Sequence, residues 1–125
     1  MIVYRLAKKA YITDLNGVGA AMFGGRWNKK GRNVLYTGES KEIALLESIV
    51  HLPPMLIPKL YIATIEIPDN SITTINSNDL PNNWYVYPAP DVLKEITENW
   101  LKKSNTIALK VPSCVVHSAY NYTEV

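Results

Sequence analysis

The sequence predicts an α+β fold, on three observations. Strand-like runs are short and interleaved with helical ones. Two stretches carry helical periodicity, one after Ser40 and one after Asp91. The connections are irregular and rich in Gly, Pro and Asn, unlike the repeating units of a doubly wound parallel sheet. With 125 residues, 47% of them hydrophobic, the chain fits a single compact domain with mixed, short-stranded sheets.

Taken in order, residues 2–6 are apolar apart from Tyr4 and Arg5 and predict a first strand. Residues 13–25 are dominated by Gly and small side chains and predict a loop with room for a short helix. Trp27 and Asn28 lead into a turn at 29–33, and 34–37 follows as a strand, so 25–37 reads as a hairpin. Ser40 supplies an N-cap for a helix that runs to about Leu52 and stops at Pro53-Pro54. On that helix Ile43, Leu45, Leu46, Ile49, Val50 and Leu52 fill one broad apolar arc, with Glu47 at its edge. Residues 59–67 alternate in β-branched and aromatic side chains and predict a strand ended by Pro68-Asp69; 71–75 predict another. A polar loop (76–83) and an aromatic, proline-rich stretch (84–90) precede a helix at 91–101, with Val92, Ile96 and Trp100 on one side. Residues 106–111 and 114–116 predict late strands separated by Pro112-Ser113.

Composition excludes several classes. Cys114 is the only cysteine, so there is no disulfide framework, and a reducing cytoplasm is the expected location. No signal peptide is expected, and no apolar run approaches the roughly 18 residues of a membrane helix. The net charge of +2 hides a split: residues 1–62 carry nine basic and four acidic side chains, residues 63–125 four basic and seven acidic. Lys29, Lys30 and Arg32 beside Trp27 offer a small basic turn for nucleic acid. The low net charge argues against a phosphate-tracking surface, and a solvated loop explains the turn as well. Gly17-Val18-Gly19 has Met22 where a dinucleotide fingerprint needs its third glycine. His51, His117 and Cys114 are the only soft ligands, without metal-ligand spacing. No metal is therefore expected, and His51 reads as a partly buried helix-flank residue and His117 as an exposed one.

One constellation is specific. Gly24-Gly25-Arg26-Trp27-Asn28, Leu35-Tyr36-Thr37 and Leu45-Leu46-Glu47 occur in that order, followed by Trp84, Tyr87-Pro88, Trp100-Leu101 and Val111-Pro112-Ser113. Together they closely resemble the RES domain, the toxin component of a class of bacterial type II toxin–antitoxin pairs. The resemblance runs from Tyr4-Arg5 to Asn121-Tyr122. It implies a fold similar to the diphtheria-type ADP-ribosyltransferases. It also implies an enzyme that degrades NAD or transfers its ADP-ribose, and a helix-turn-helix (Xre-type) antitoxin partner through which any DNA contact would pass. NAD is then substrate, and a homodimer is an open expectation.

The resemblance marks Arg5, Arg26, Tyr36, Glu47 and Ser113 as site residues, with Glu47 and Arg26 catalytic and Arg5, Arg26, Tyr36 and Ser113 binding NAD. Their chemistry fits. An arginine fork suits a pyrophosphate, and a carboxylate beside the ribose stabilises an oxocarbenium-like transition state. Tyr36 could stack on a ring, and Ser113 could bond the ribose or carboxamide. From the residues alone, the same five also read as a strand-end arginine, a surface salt bridge, a core tyrosine, a helix-rim glutamate and a turn serine. The chain, read as one domain over 1–125, stops at Thr123-Glu124-Val125, where the family pattern continues into a further apolar strand and tail. Two further readings therefore stand beside the toxin: a truncated, inactive RES domain that binds antitoxin or NAD, and a small nucleic-acid-binding domain.

Overall fold

The computed structural model describes residues 1–49, 53–103, 105–116 and 118–124. His51 and His117, and the last residues of the helix expected to reach Leu52, lie outside them. Six strands, β1 (Ile2–Ala7), β2 (Leu35–Gly38), β3 (Tyr61–Glu66), β4 (Ile72–Thr74), β5 (Ala108–Pro112) and β6 (Tyr120–Glu124), form one mixed sheet. Its order is β3-β1-β2-β6-β5-β4. β4 and β5 run parallel and every other neighbouring pair is antiparallel. The helices are α1 (Val18–Phe23), α2 (Lys41–Ile49) and α3 (Val92–Lys103).

On one face of the sheet, Val3 of β1, Ala108 of β5 and Tyr122 of β6 belong to one buried cluster with Ile67. The opposite face holds a second cluster. There Leu109 and Val111 of β5 meet Leu93 and Trp100 of α3, with Trp27, Leu80 and Trp84 closing the layer. The alternation Ala108/Leu109 thus divides β5 between the two cores.

Four sequence expectations change. Residues 25–37 are not a hairpin: 25–34 is irregular, and β2 pairs with β1 and β6. The reason is local, because the amides of this loop find side chains and α1 carbonyls instead of a ladder. Trp27 N–H donates to the Tyr36 hydroxyl and Gly31 N–H to the Ala21 carbonyl. Residues 114–116 are not a strand either. The Val115 and Val116 amides turn back onto Ser113 Oγ, at 3.1 and 3.0 Å, and the last strand forms at Tyr120–Glu124. That strand lies inside the sheet; β3 and β4 form its edges.

The two helices also present different faces from those expected. α2 buries Ile43 and Ala44 while Leu45 and Leu46 are about 40% exposed. Ala44 sits inward because Gly38 of β2 approaches α2 closely: a Cβ on Gly38 would come within 2.9 Å of the Ala44 nitrogen. α3 turns Leu93, Thr97 and Trp100 inward and leaves Val92 exposed. The Ser40 cap holds, with Ile43 N–H on Ser40 Oγ at 3.1 Å.

Glu124 is carried into the fold opposite Leu35 and is 5% exposed. Thr37 Oγ1 stands 3.0 and 3.1 Å from its two carboxyl oxygens. Burial pushes its pKa from 4.5 up to about 8, with the Thr37 hydrogen bond opposing. Between those values the folded chain holds a proton that the unfolded chain releases. Stability therefore falls as pH rises from about 4.5 to about 8 and levels off above. Melting curves across this range should show a declining Tm that Glu124→Gln flattens; parallel profiles for the two proteins would contradict it.

Candidate active site

β1 and β2 are in register at Tyr4 and Gly38, and beyond that pair they part. A cleft of about 850 Å³ opens at the split, within the usual range for small-molecule sites. Arg5 and Leu6 line it from β1, and Leu35, Tyr36 and Thr37 from β2. Glu47 reaches it from α2, and Arg26, Lys29 and Lys30 from the loop after α1. Four of the five residues marked in the sequence, Arg5, Arg26, Tyr36 and Glu47, thus share one cavity. The fifth, Ser113, is fully buried beside it.

Ser113 lies behind Glu47 and reaches the carboxylate, not the cavity. Its Oγ is 2.5 Å from Glu47 Oε1. The hydroxyl has one proton, and two backbone amides already point at its oxygen, so the proton goes to Glu47. Asn121 Nδ2 donates to the same Oε1 at 2.9 Å. Glu47 is therefore an acceptor twice over, held by two donors from either end of the β5–β6 connection.

Arg26 is tied to the far wall. Its Nη1 and Nη2 donate to the carbonyls of Trp84 and Val86, each at 2.9 Å, which fastens the 84–88 segment over the cleft. Tyr87, Pro88 and Ala89 follow as lining residues, and the Tyr87–Pro88 bond is cis. Arg5 donates to the Tyr11 carbonyl at 3.0 Å. Burial lowers its pKa, with Asp14 opposing, yet a guanidinium stays charged.

Tyr36 lines the cleft with its hydroxyl occupied. It donates to Asn28 Oδ1 at 2.6 Å and accepts from Trp27 N–H at 3.0 Å. Burial raises its pKa well above the usual phenol value. Gly25 is required here: a Cβ would come within 2.8 Å of both the Tyr36 hydroxyl and Asn28 Oδ1. The cleft also has Cys114 on its wall, a free thiol whose pKa burial and the Glu47 charge push up, so it is a weak nucleophile.

Sequence reasoning missed two residues. Asn28 is completely buried, and its Nδ2 donates to the Ala20 and Arg32 carbonyls at 2.9 and 3.0 Å. An asparagine directly after Arg26-Trp27 in a glycine-rich loop was the available signal. Asn121 entered only as the end of the resemblance, and its contact with Glu47 spans 74 residues.

The balance of charge around the cleft is positive. Arg5, Arg26, Lys29, Lys30 and Lys94 line it with the single carboxylate Glu47. Of these, Lys29 meets Glu95 at 2.5 Å and Lys94 stands 3.8 Å from Asp91, and beside the cleft Arg32 forms a two-point bridge to Glu98 (2.8 and 3.0 Å). The basic turn is thus partly neutralised by α3. Among the described residues there is no group of three His, Cys, Asp or Glu placed to hold a metal ion, and no helix is long and apolar enough to cross a membrane.

The sequence profile of the RES domain matches residues 2–123. The chain belongs to the RES domain family. The match spans between 70% and 81% of the length of three curated relatives. Toxin Res of Yersinia enterocolitica is 34% identical over 97% of this chain and 81% of its own. Toxin Res of Photorhabdus laumondii is 35% identical over 93% of this chain and 76% of its own. The Prs ADP-ribosylating toxin of a Sphingobium species is 36% identical over 86% of this chain and 70% of its own. In this chain Arg26 and Glu47 line one cavity, and Ser113 donates to Glu47.

Proposed function

We propose that this RES domain is the toxin of a toxin–antitoxin pair and acts on NAD, breaking the bond between nicotinamide and ribose. The observation that carries the reading is the cationic cleft with one fastened carboxylate. A pyrophosphate carries two negative charges, and the lining cations match it. The bond breaks between ribose C1′ and the nicotinamide nitrogen. The electron pair leaves with nicotinamide, which becomes neutral, and positive charge develops on the ribose. Glu47, a carboxylate held on a helix, stabilises that charge. A nucleophile then bonds to C1′ and gives up its proton if it is water. Tyr36 offers its ring face for stacking and Arg26 keeps the 84–88 wall in place. A mixed sheet with a cleft beside β1 and β2 is in keeping with an ADP-ribosyltransferase-like fold.

ADP-ribosylation in the Sphingobium relative's name favours a protein acceptor in place of water. The resemblance further implies a helix-turn-helix antitoxin that covers the cleft. The test is incubation of the purified chain with NAD in three arms: buffer alone, inorganic phosphate, and candidate protein acceptors. Free nicotinamide is expected, and the fate of ADP-ribose (free, phosphorylated or protein-bound) identifies the acceptor. No nicotinamide in any arm overturns the reading.

A further inference from the structure

We infer that Asn121 is a positioning residue that sets which oxygen of Glu47 addresses the ligand. Both donors to this carboxylate, Ser113 Oγ and Asn121 Nδ2, converge on Oε1. With Oε1 engaged by both donors, Oε2 has no hydrogen-bond donor among the described residues and is the oxygen left for a ligand in the cleft, which Glu47 and Asn121 both line. The arrangement is built from the backbone up. Asn121 is paired with Gly38 of β2 and Val111 of β5, so its Cα is fixed from both sides. Ser113 is fixed by its own N–H on the Ala119 carbonyl and by the two amides on its hydroxyl. A glutamate side chain has three rotatable bonds, and two donors on one oxygen remove most of that freedom before a ligand arrives. An amide nitrogen donates and never accepts, so Asn121 enforces an acceptor role on Glu47.

The inference rests on the proposed NAD chemistry for its kinetic test, and on geometry alone for its structural one. Asn121→Ala is expected to lower kcat for nicotinamide release about tenfold, with KM for NAD unchanged within twofold. Asn121→Asp, which keeps the shape but replaces the donor with a second carboxyl, is expected to lose more. It also stands in if the alanine variant melts early. Adding Asn121→Ala to Glu47→Gln should cost nothing beyond Glu47→Gln alone, because the two residues act as one unit. A raised KM with kcat intact, or losses that multiply in the double variant, would show that Asn121 contacts substrate directly and overturn the inference. Full activity in both single variants would overturn it too. Should the wild type release no nicotinamide, the proposed function falls, and NMR of the Asn121 side-chain amide decides this inference separately. Its resonances should shift in Glu47→Ala and stay unchanged in Lys59→Ala. Unchanged resonances in Glu47→Ala would overturn it.

Discussion

Glu47→Gln is expected to reduce nicotinamide release by about 100- to 1,000-fold, the usual cost of removing one preorganised electrostatic group from a transition state. The substitution isolates charge from shape. A glutamine keeps a carbonyl oxygen that accepts from Ser113 and Asn121, so the hydrogen bonds at Oε1 survive. What disappears is the negative charge next to the ribose. KM for NAD should move only a few-fold, because binding draws on the cationic lining, whereas kcat carries the loss. Thermal stability should be retained, which separates chemistry from folding. Steady-state kinetics by nicotinamide detection, paired with a melting curve, makes the comparison. A glutamine variant with the wild-type rate would remove Glu47 from the mechanism.

The second large effect is on folding. Asn28→Ala is expected to destabilise the domain by about 3 kcal/mol or more, because one side chain serves three separate partners. Its amide nitrogen satisfies the Ala20 and Arg32 carbonyls and its oxygen takes the Tyr36 hydroxyl proton. Alanine removes all three bonds in a place where the wild-type side chain has no exposure, although the Ala20 carbonyl keeps the Gly24 N–H. For a domain of this size the loss corresponds to a Tm lower by about 10 °C. Activity should fall with it, since the same network anchors the loop that carries Arg26. A Tm within a degree or two of wild type would mean that water replaces the amide at no cost.

Both effects depend on contacts that sequence reasoning reached unevenly. The Arg26, Tyr36 and Glu47 blocks were legible because each sits in a short motif. Their meeting in one cleft follows from the β1–β2 split, which no local pattern encodes. The basic turn at 29–32 looked like a candidate for nucleic acid until α3 placed Glu95 and Glu98 against it, 66 residues away from their partners in the chain. Nothing local marks Glu124, yet strand pairing buries it beside Thr37.

By itself, the sequence determined the fold class, the mixed short-stranded sheet, most element positions and the RES membership. Those properties rest on local signals: alternation at 59–67, the Ser40 cap, and motifs whose spacing is short. Tertiary structure decided the rest. It turned 25–34 into a loop pinned by Asn28 and moved the last strand to Tyr120–Glu124. It also set the Ser113 hydroxyl on the Glu47 carboxylate. The physical reason is common to all three. A buried polar group takes whichever partner the fold brings within about 3 Å, and for Glu47 those partners lie 66 and 74 residues away.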